Sequence, residues 1–290
     1  MRVLAPAKIN LYLWVGGRRG DGLHEVESVM QSVSLTDFLD ITAAEAVSLD
    51  VEPRGAAPED ESNLVVKAVR ALAVAAGKST GASIRLTKHI PAAGGLAGGS
   101  ADAAATLVGL NRLWSLGLSR KALEKIAAGV GSDVPFCVRG GTAVARGAGE
   151  SLAPLVARAP LWWVIAKPPG SLSTAEVYGR YDELGGPQAA APDPSEVADA
   201  LARGDLGRLA GALRNDLEAA AQALMPELST ARAELLGAGA LGAVMSGSGP
   251  TWCGLAGDEN HAKHIAGGLS RLDRTWIVRS LDRGARVEGK

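Results

Sequence analysis

The stretch Pro91-Ala92-Ala93-Gly94-Gly95-Leu96-Ala97-Gly98-Gly99-Ser100-Ala101-Asp102-Ala103-Ala104-Ala105 decides how the chain reads. It follows a strand-like segment, Ser83 to Lys88, and opens a helix expected from about Ser100 to Trp114, with Ala104, Leu107, Leu110 and Trp114 on one face. Residues this small let backbone N–H groups converge on an anion at the positive end of a helix dipole, so the stretch has the chemistry of a phosphate cradle. It is not the Walker pattern, because no Lys-Ser or Lys-Thr pair follows the glycines, and its spacing does not fit the dinucleotide fingerprint. A flexible Gly/Ala linker is the alternative, but a linker has no reason to end in a well-formed helix.

Outward from this stretch, strands and helices mix without alternating one for one. Strands are expected at Glu25–Leu35, with Val29, Gln31, Val33 and Leu35 on one side, and at Phe38–Thr42 and Val47–Val51. Ser62 is the expected N-cap of a helix ending near Gly77, and further helices are expected at Ser119–Ala128 and, after Pro135, just beyond Asp133. A strand at Gly141–Arg146 precedes a Pro154-containing break, and the apolar run Leu161–Ala166 opens the second half, so the domains read as 1–155 and 156–290. Beyond a mobile connector, Gly185–Pro194, helices are expected near 195–203, 205–213 and 227–237. Strands at 242–245, 251–255 and 275–280 flank a helix beginning at Asp258. This order argues for an α+β fold in two lobes.

Composition narrows the function. Thirty Lys+Arg against 31 Asp+Glu leave a net charge of −1 with no basic run, and three Tyr, two Phe and six Trp are too few for a stacking platform, so a nucleic-acid partner is not expected. The 37 glycines far exceed the roughly 7% of an ordinary chain and mark places of tight bending or close approach. Cys137 and Cys253 lie far apart without a metal-binding or redox pattern and read as buried thiols. The opening residues have no apolar leader, and the uncharged stretch Leu235–Gly257 is too rich in Gly, Ser, Thr and Pro for a membrane helix. A cytoplasmic protein with no membrane partner is therefore expected.

Three further features carry chemistry. Lys8 is a lone cation in the apolar opening strand Ala5-Pro6-Ala7-Lys8-Ile9-Asn10-Leu11, and Asn10, two residues on, shares its face. Asp133, in Gly131-Ser132-Asp133-Val134-Pro135-Phe136, reads either as a helix-capping acid or as a catalytic one. The late turn Ser246-Gly247-Ser248-Gly249-Pro250-Thr251 suits a hairpin and a ligand loop equally.

In this order and at these separations, the motifs around Lys8, Pro91–Ser100 and Asp133 resemble the GHMP family of small-molecule kinases, which includes galactokinase, homoserine kinase and mevalonate kinase. The likeness runs from Leu4 to about Leu281. It implies a two-lobed fold, an N-terminal lobe like ribosomal protein S5 domain 2 and a ferredoxin-like C-terminal lobe, with the active site in the cleft between them. It also implies ATP with Mg²⁺ as cofactors. The loop Pro91, Ala92, Ala93, Gly94, Gly95, Leu96, Ala97, Gly98, Gly99, Ser100 and Ala101 would wrap the phosphates, and Asn63 and Lys88 match positions near the adenine. Asp133 would take the proton from the acceptor hydroxyl beside Lys8. A cation about 4–6 Å from a carboxylate favours the ionised form, and alignment with charge neutralisation is most of what phosphoryl transfer requires.

The segment Asp21-Gly22-Leu23-His24-Glu25 narrows the likeness to the branch whose small-molecule substrate is a cytidine diphosphate-linked methylerythritol. In that branch His24 would lie against the cytosine, Asn10 would hold the alcohol hydroxyls, and Thr174 and Tyr178 would line the substrate side from the second lobe. Leu23 stands where the family has Tyr, which would leave the base stacked on one face only. Ala93, Ala97 and Ala101 replace residues that are Gly or Ser in relatives, and positive φ at any of them would strain the cradle. A homoserine or mevalonate-type acceptor, or a non-catalytic nucleotide-binding relative, are the alternative readings.

Overall fold

The structure, a computed structural model, describes residues 1–78, 81–147, 149, 151–187, 193–269 and 274–289. Two long antiparallel strands, β1 (Arg2–Arg18) and β2 (His24–Ala44), are its frame. The segments 25–35 and 38–42, expected as separate strands, are one: no Gly or Pro interrupts residues 24–44, and Thr36 and Asp37 stay paired with Pro6 and Ala5. Val29, Gln31, Val33 and Leu35 are all buried as expected, but so are Ser28, Met30 and Ser32 between them, so the strand is covered on both faces there and burial does not alternate. Register shifts between Pro6 and Lys8 and between Asn10 and Tyr12 bend β1 on either side of the Lys8–Asn10 segment, and such bulges re-aim side chains.

β3 (Ser48–Glu52) is followed by α1 (Leu64–Ala76) and β4 (Gly81–Thr87). The cap of α1 is Asn63 rather than Ser62: its Oδ1 accepts from the Val65 N–H. Next come α2 (Gly98–Leu113), α3 (Arg120–Ala128, capped by Ser119), α4 (Val134–Arg139), β5 (Thr142–Gly147) and β6 (Ser151–Leu155). Residues 151–155, read from sequence as part of a break, are a strand that, among the described residues, pairs with β5 alone, the edge setting in which Pro154 is tolerated.

The second half runs β7 (Trp162–Lys167), α5 (Thr174–Glu183), α6 (Ser195–Arg203), α7 (Leu206–Ala212), β8 (Arg214–Asn215), α8 (Glu218–Leu224), α9 (Glu227–Gly237), β9 (Gly242–Met245), β10 (Trp252–Ala256), α10 (Glu259–Gly268), β11 (Arg274–Arg279) and β12 (Arg286–Val287). Helices α5 and α8 were not expected from periodicity. Part of the anticipated connector, residues 188–192, lies outside the described residues.

The first sheet has the order β12-β1-β2-β4-β3, with β5 also on β2, β6 on β5 and β8 on β1. The second is antiparallel with the order β11-β7-β10-β9, the ferredoxin-like arrangement. Helix α2 lies close on the first sheet because its inner face is built of Ala101, Ala104 and Ala105 and of Gly109. A Cβ on Gly109 would sit 2.7 Å from Ile41 Cδ1. One apolar core joins Val3, Ile9, Leu107 and Leu110 to Trp163, Ile165 and Cys253 of the second sheet, so the lobes are packed on each other. Cys137 and Cys253 are both buried and unpaired as thiols. Among the described residues no helix is long and apolar enough to cross a membrane.

Candidate active site

Lys8 is 4% exposed, so its ammonium needs partners. Nζ donates to Asn10 Oδ1 at 2.7 Å and lies 3.6 Å from Asp133 Oδ2. Asn10 is held in turn, its Nδ2 donating to Ser28 Oγ, which donates to the Tyr12 carbonyl, both at 2.7 Å. The pairing expected from the two-residue spacing on β1 is therefore real. Asp133 stands at the N-cap position of α4 but makes no side-chain cap bond. Its carboxylate is turned toward Lys8 and remains one-third exposed, which decides geometrically against the capping alternative.

The glycine-rich loop borders the same cavity, about 1100 Å³ in volume, which Lys8, Asn10 and Asp133 also line. Of the eleven loop residues expected at the phosphates, Pro91, Ala92, Ala93, Gly94, Gly95, Ala97, Gly98, Gly99 and Ser100 line it. Leu96 and Ala101 do not. Both are buried in the core, the first as a loop anchor whose carbonyl accepts from Lys8 N–H, the second on the sheet side of α2. The first N–H groups of α2 have no intrahelical acceptor, and no acid occupies its first turn, so they are left to an anion. Ala93 and Ala97 adopt φ of 49° and 54°. The loop therefore carries left-handed backbone at two Cβ-bearing residues, a strain of about 1–2 kcal/mol each; Ala101 is helical and carries none.

The late glycine turn joins β9 to β10 and is thus a hairpin turn, and it also reaches the cavity through Gly247, Ser248 and Gly249. Ser246, fully buried, donates to the Gly95 carbonyl at 2.9 Å and accepts from Asn10 N–H at 3.3 Å. Asn215 holds this turn by donating to the carbonyls of Met245 and Gly247 at 2.7 and 2.8 Å. Ser246 was read from sequence only as part of this turn, with no role of its own, and Asn215 was not singled out, since a lone asparagine carries no signal before the strands come together.

Asn63 and Lys88 also line the cavity, but their side chains are occupied. Asn63 caps α1 and donates Nδ2 to the Pro58 carbonyl at 2.6 Å. Lys88 is buried between Asp37 and Asp102, its Nζ donating to both, at 2.6 Å to Asp102 Oδ2. Burial works against the ammonium, but Asp102 and Asp37 outweigh it and raise its pKa. Asp37 also accepts from the His89 and Ile90 N–H groups, which anchors the chain entering the loop. Asp102 has no partner at Oδ1, and burial, only partly offset by Lys88, pushes its pKa up to about 8. Two carboxylates share one buried ammonium, and burial favours the protonated form of Asp102.

Also bordering the cavity, His24 is buried and packs against Tyr178, ring centroids 5.0 Å apart and tilted by 37°. Burial pushes the Tyr178 hydroxyl up to about 12. Thr174 opens α5, and its Oγ1 lies 3.0 Å from Ser248 Oγ of the late turn. Leu23 is 54% exposed on the cavity rim. His24 Nε2 lies 2.8 Å from Asp182 Oδ1, a partner from the second lobe that sequence reading missed. All of the expected catalytic and substrate-side residues thus border one cleft, built like a nucleotide site: helical N–H groups, a paired cation and carboxylate, and aromatic rings all line it.

Comparison with known proteins agrees with this geometry. The model of the GHMP kinases N terminal domain matches residues 63–141, and that of the GHMP kinases C terminal domain matches 197–273. A 4-diphosphocytidyl-2-C-methyl-D-erythritol kinase of Salinispora tropica is 47% identical over 279 residues, 94% of this chain and 89% of its own. One of Pelotomaculum thermopropionicum is 47% identical over 277 residues, 95% of this chain and 96% of its own. A crystal structure of 4-(cytidine 5'-diphospho)-2C-methyl-D-erythritol kinase matches with a TM-score of 0.80 at 36% identity, covering 97% of this chain and 99% of that one. Matched in both halves by the family models and over nearly its whole length by these relatives, the chain belongs to the GHMP kinases, and within them to the 4-diphosphocytidyl-2-C-methyl-D-erythritol kinases.

Proposed function

We propose that the protein transfers the γ-phosphoryl group of ATP to the 2-hydroxyl of 4-diphosphocytidyl-2-C-methyl-D-erythritol, with 1–155 carrying the phosphate loop and the catalytic pair and 156–290 completing the cleft. The observation that carries this reading is the 3.6 Å approach of Lys8 Nζ to Asp133 Oδ2 on the wall of the cavity that the glycine loop borders. Asp133 accepts the proton of the acceptor hydroxyl. Lys8, held in line by Asn10, faces the charge that develops between the attacking oxygen and the phosphoryl group. The open N–H groups at the start of α2 bind the β and γ phosphates, and Ser246 keeps the loop against β1 while they do so.

Mg²⁺ suits this site as an ion brought in by the triphosphate. Among the described residues no three His, Cys, Asp or Glu side chains form a cage, and Asp102 is committed to Lys88. Asp133 and the Ser100 hydroxyl, both on the cavity wall, are the groups that would complete its shell. When bound it neutralises the β and γ oxygens. His24 and Tyr178 receive the cytosine, with Thr174 beside them and the remaining Nδ2 hydrogen of Asn10 directed to the alcohol portion.

Turnover of purified protein with ATP, Mg²⁺ and this substrate, followed as ADP release, tests the proposal. Asp133→Asn and Lys8→Ala are each expected to lower kcat by about 10²–10⁴. Undiminished turnover in Asp133→Asn would remove the general-base role, and a preference for homoserine or mevalonate would defeat the cytidyl acceptor.

A further inference from the structure

One face of α5 grips the tip of the β1–β2 hairpin. Tyr181 Oη donates to the Val15 carbonyl at 2.7 Å, and Tyr178 lies against the His24 ring. Asp182 on the same helix divides its two oxygens. Oδ2 accepts from Arg18, at 2.9 Å from Nε and 2.6 Å from Nη2, and Oδ1 meets His24 Nε2 at 2.8 Å. The hydrogen bond from His24, with Arg18 adding to it, holds the Asp182 carboxyl below its ordinary value, so the group is ionised at neutral pH. An ionised carboxylate only accepts, so the hydrogen of the ring is assigned to Nε2.

For the neutral ring, this arrangement sets what the histidine offers a ligand. His24 is 7% exposed and borders the cavity, whereas Asp182 is not among the cavity-lining residues, so the Nε2 side of the ring points away from the cavity. Nδ1 is the ring nitrogen left to face it. In a neutral ring with its hydrogen on Nε2, Nδ1 is a lone pair and accepts only. Cytosine carries an amine at position 4, a donor; uracil carries a carbonyl oxygen there, which a lone pair repels. A buried acceptor left against another acceptor is the kind of mismatch that rejects a near-isosteric base.

Resting on the cytidyl reading above, we propose that Asp182 is a positioning residue for base choice: by holding the Nε2 hydrogen of His24 it fixes Nδ1 as an acceptor toward the amine-bearing edge of the pyrimidine. Arg18 pins the carboxylate from the far side and leaves the histidine contact to Asp182 alone. The chemistry of transfer is untouched, because Lys8 and Asp133 stand on other elements.

The test uses the full-length enzyme at saturating ATP, with the cytidyl substrate and its uridyl counterpart as probes. Asp182→Ala is expected to raise KM for the cytidyl substrate about tenfold and to lower the cytidyl-to-uridyl ratio of kcat/KM by a similar factor, while kcat and KM for ATP change less than twofold. Asp182→Glu is expected to recover part of the ratio, and Arg18→Ala to keep it. In the unmutated protein, ¹⁵N-histidine NMR at pH 8 is expected to show His24 with its hydrogen on Nε2. A ratio unchanged in Asp182→Ala, equal losses in kcat and both KM values, or a hydrogen on Nδ1 would overturn the role of Asp182. A wild-type enzyme that turns over a different acceptor in place of the cytidyl compound would instead overturn the underlying reading.

Discussion

Gly95 and Ser246, one from each glycine-rich turn, are in such close contact that a Cβ on Gly95 would stand 2.0 Å from the Ser246 carbonyl oxygen, while Ser246 Oγ donates to the Gly95 carbonyl at 2.9 Å. Gly95 also has φ of 72°, so two independent constraints select glycine there. Gly95→Ala must separate the phosphate loop from the late turn that braces it. Expected outcomes are a loss of about 2 kcal/mol in unfolding free energy by denaturant titration and at least a tenfold fall in turnover.

The opposite change is expected at Ala97, whose φ of 54° places a Cβ in the left-handed region at the head of α2. Ala97→Gly relieves that strain, offset by the greater freedom glycine has in the unfolded chain. The net gain is expected to be up to about 1 kcal/mol, read as a rise in Tm, with kcat unchanged. A loss of stability would show that the Cβ contributes packing that outweighs its strain.

Asp102 makes stability depend on pH. Its ordinary value is 3.8 and burial raises it to about 8 in the folded protein, so between these values the folded state holds a proton that the unfolded chain has released. Stability therefore falls as pH rises through that window. Asp102→Asn removes the titration while leaving an oxygen to accept from Lys88. The variant is expected to gain on wild type steadily as pH rises from 5 to 8, by up to about 4 kcal/mol, measured by denaturant unfolding at each pH; a constant difference would show that Asp102 does not titrate there.

Leu23 offers a gain of affinity. It borders the cavity next to His24 in the chain and is more than half exposed. Leu23→Tyr places a second ring where a base bound against His24 and Tyr178 presents its other face. A stacked ring contributes about 0.5–1.5 kcal/mol, so KM for the cytidyl substrate is expected to fall about two- to tenfold with kcat unchanged. An unchanged KM would show that the base does not pass over Leu23.

Local pattern alone determined much of this protein. The small-residue run before α2, the caps Ser119 and Asp258, and the spacing of Lys8 and Asn10 are effects of near neighbours along the chain, and each has its expected counterpart in the folded molecule. The elements that escaped, α5, α8, β6, β8 and β12, are short and marginal by periodicity and owe their form to what they pack or pair with. Tertiary structure alone decided which side chains are free to act. Asp133 could have capped a helix, yet the fold turns it to Lys8; Asn63 and Lys88 border the cleft with side chains engaged by Val65, Pro58, Asp37 and Asp102. Ser246, Asn215 and Asp182 gained their parts only when distant segments met. A hydrogen bond or an ion pair acts over a few ångströms of space, and one dimension of sequence does not say which residues will be that close.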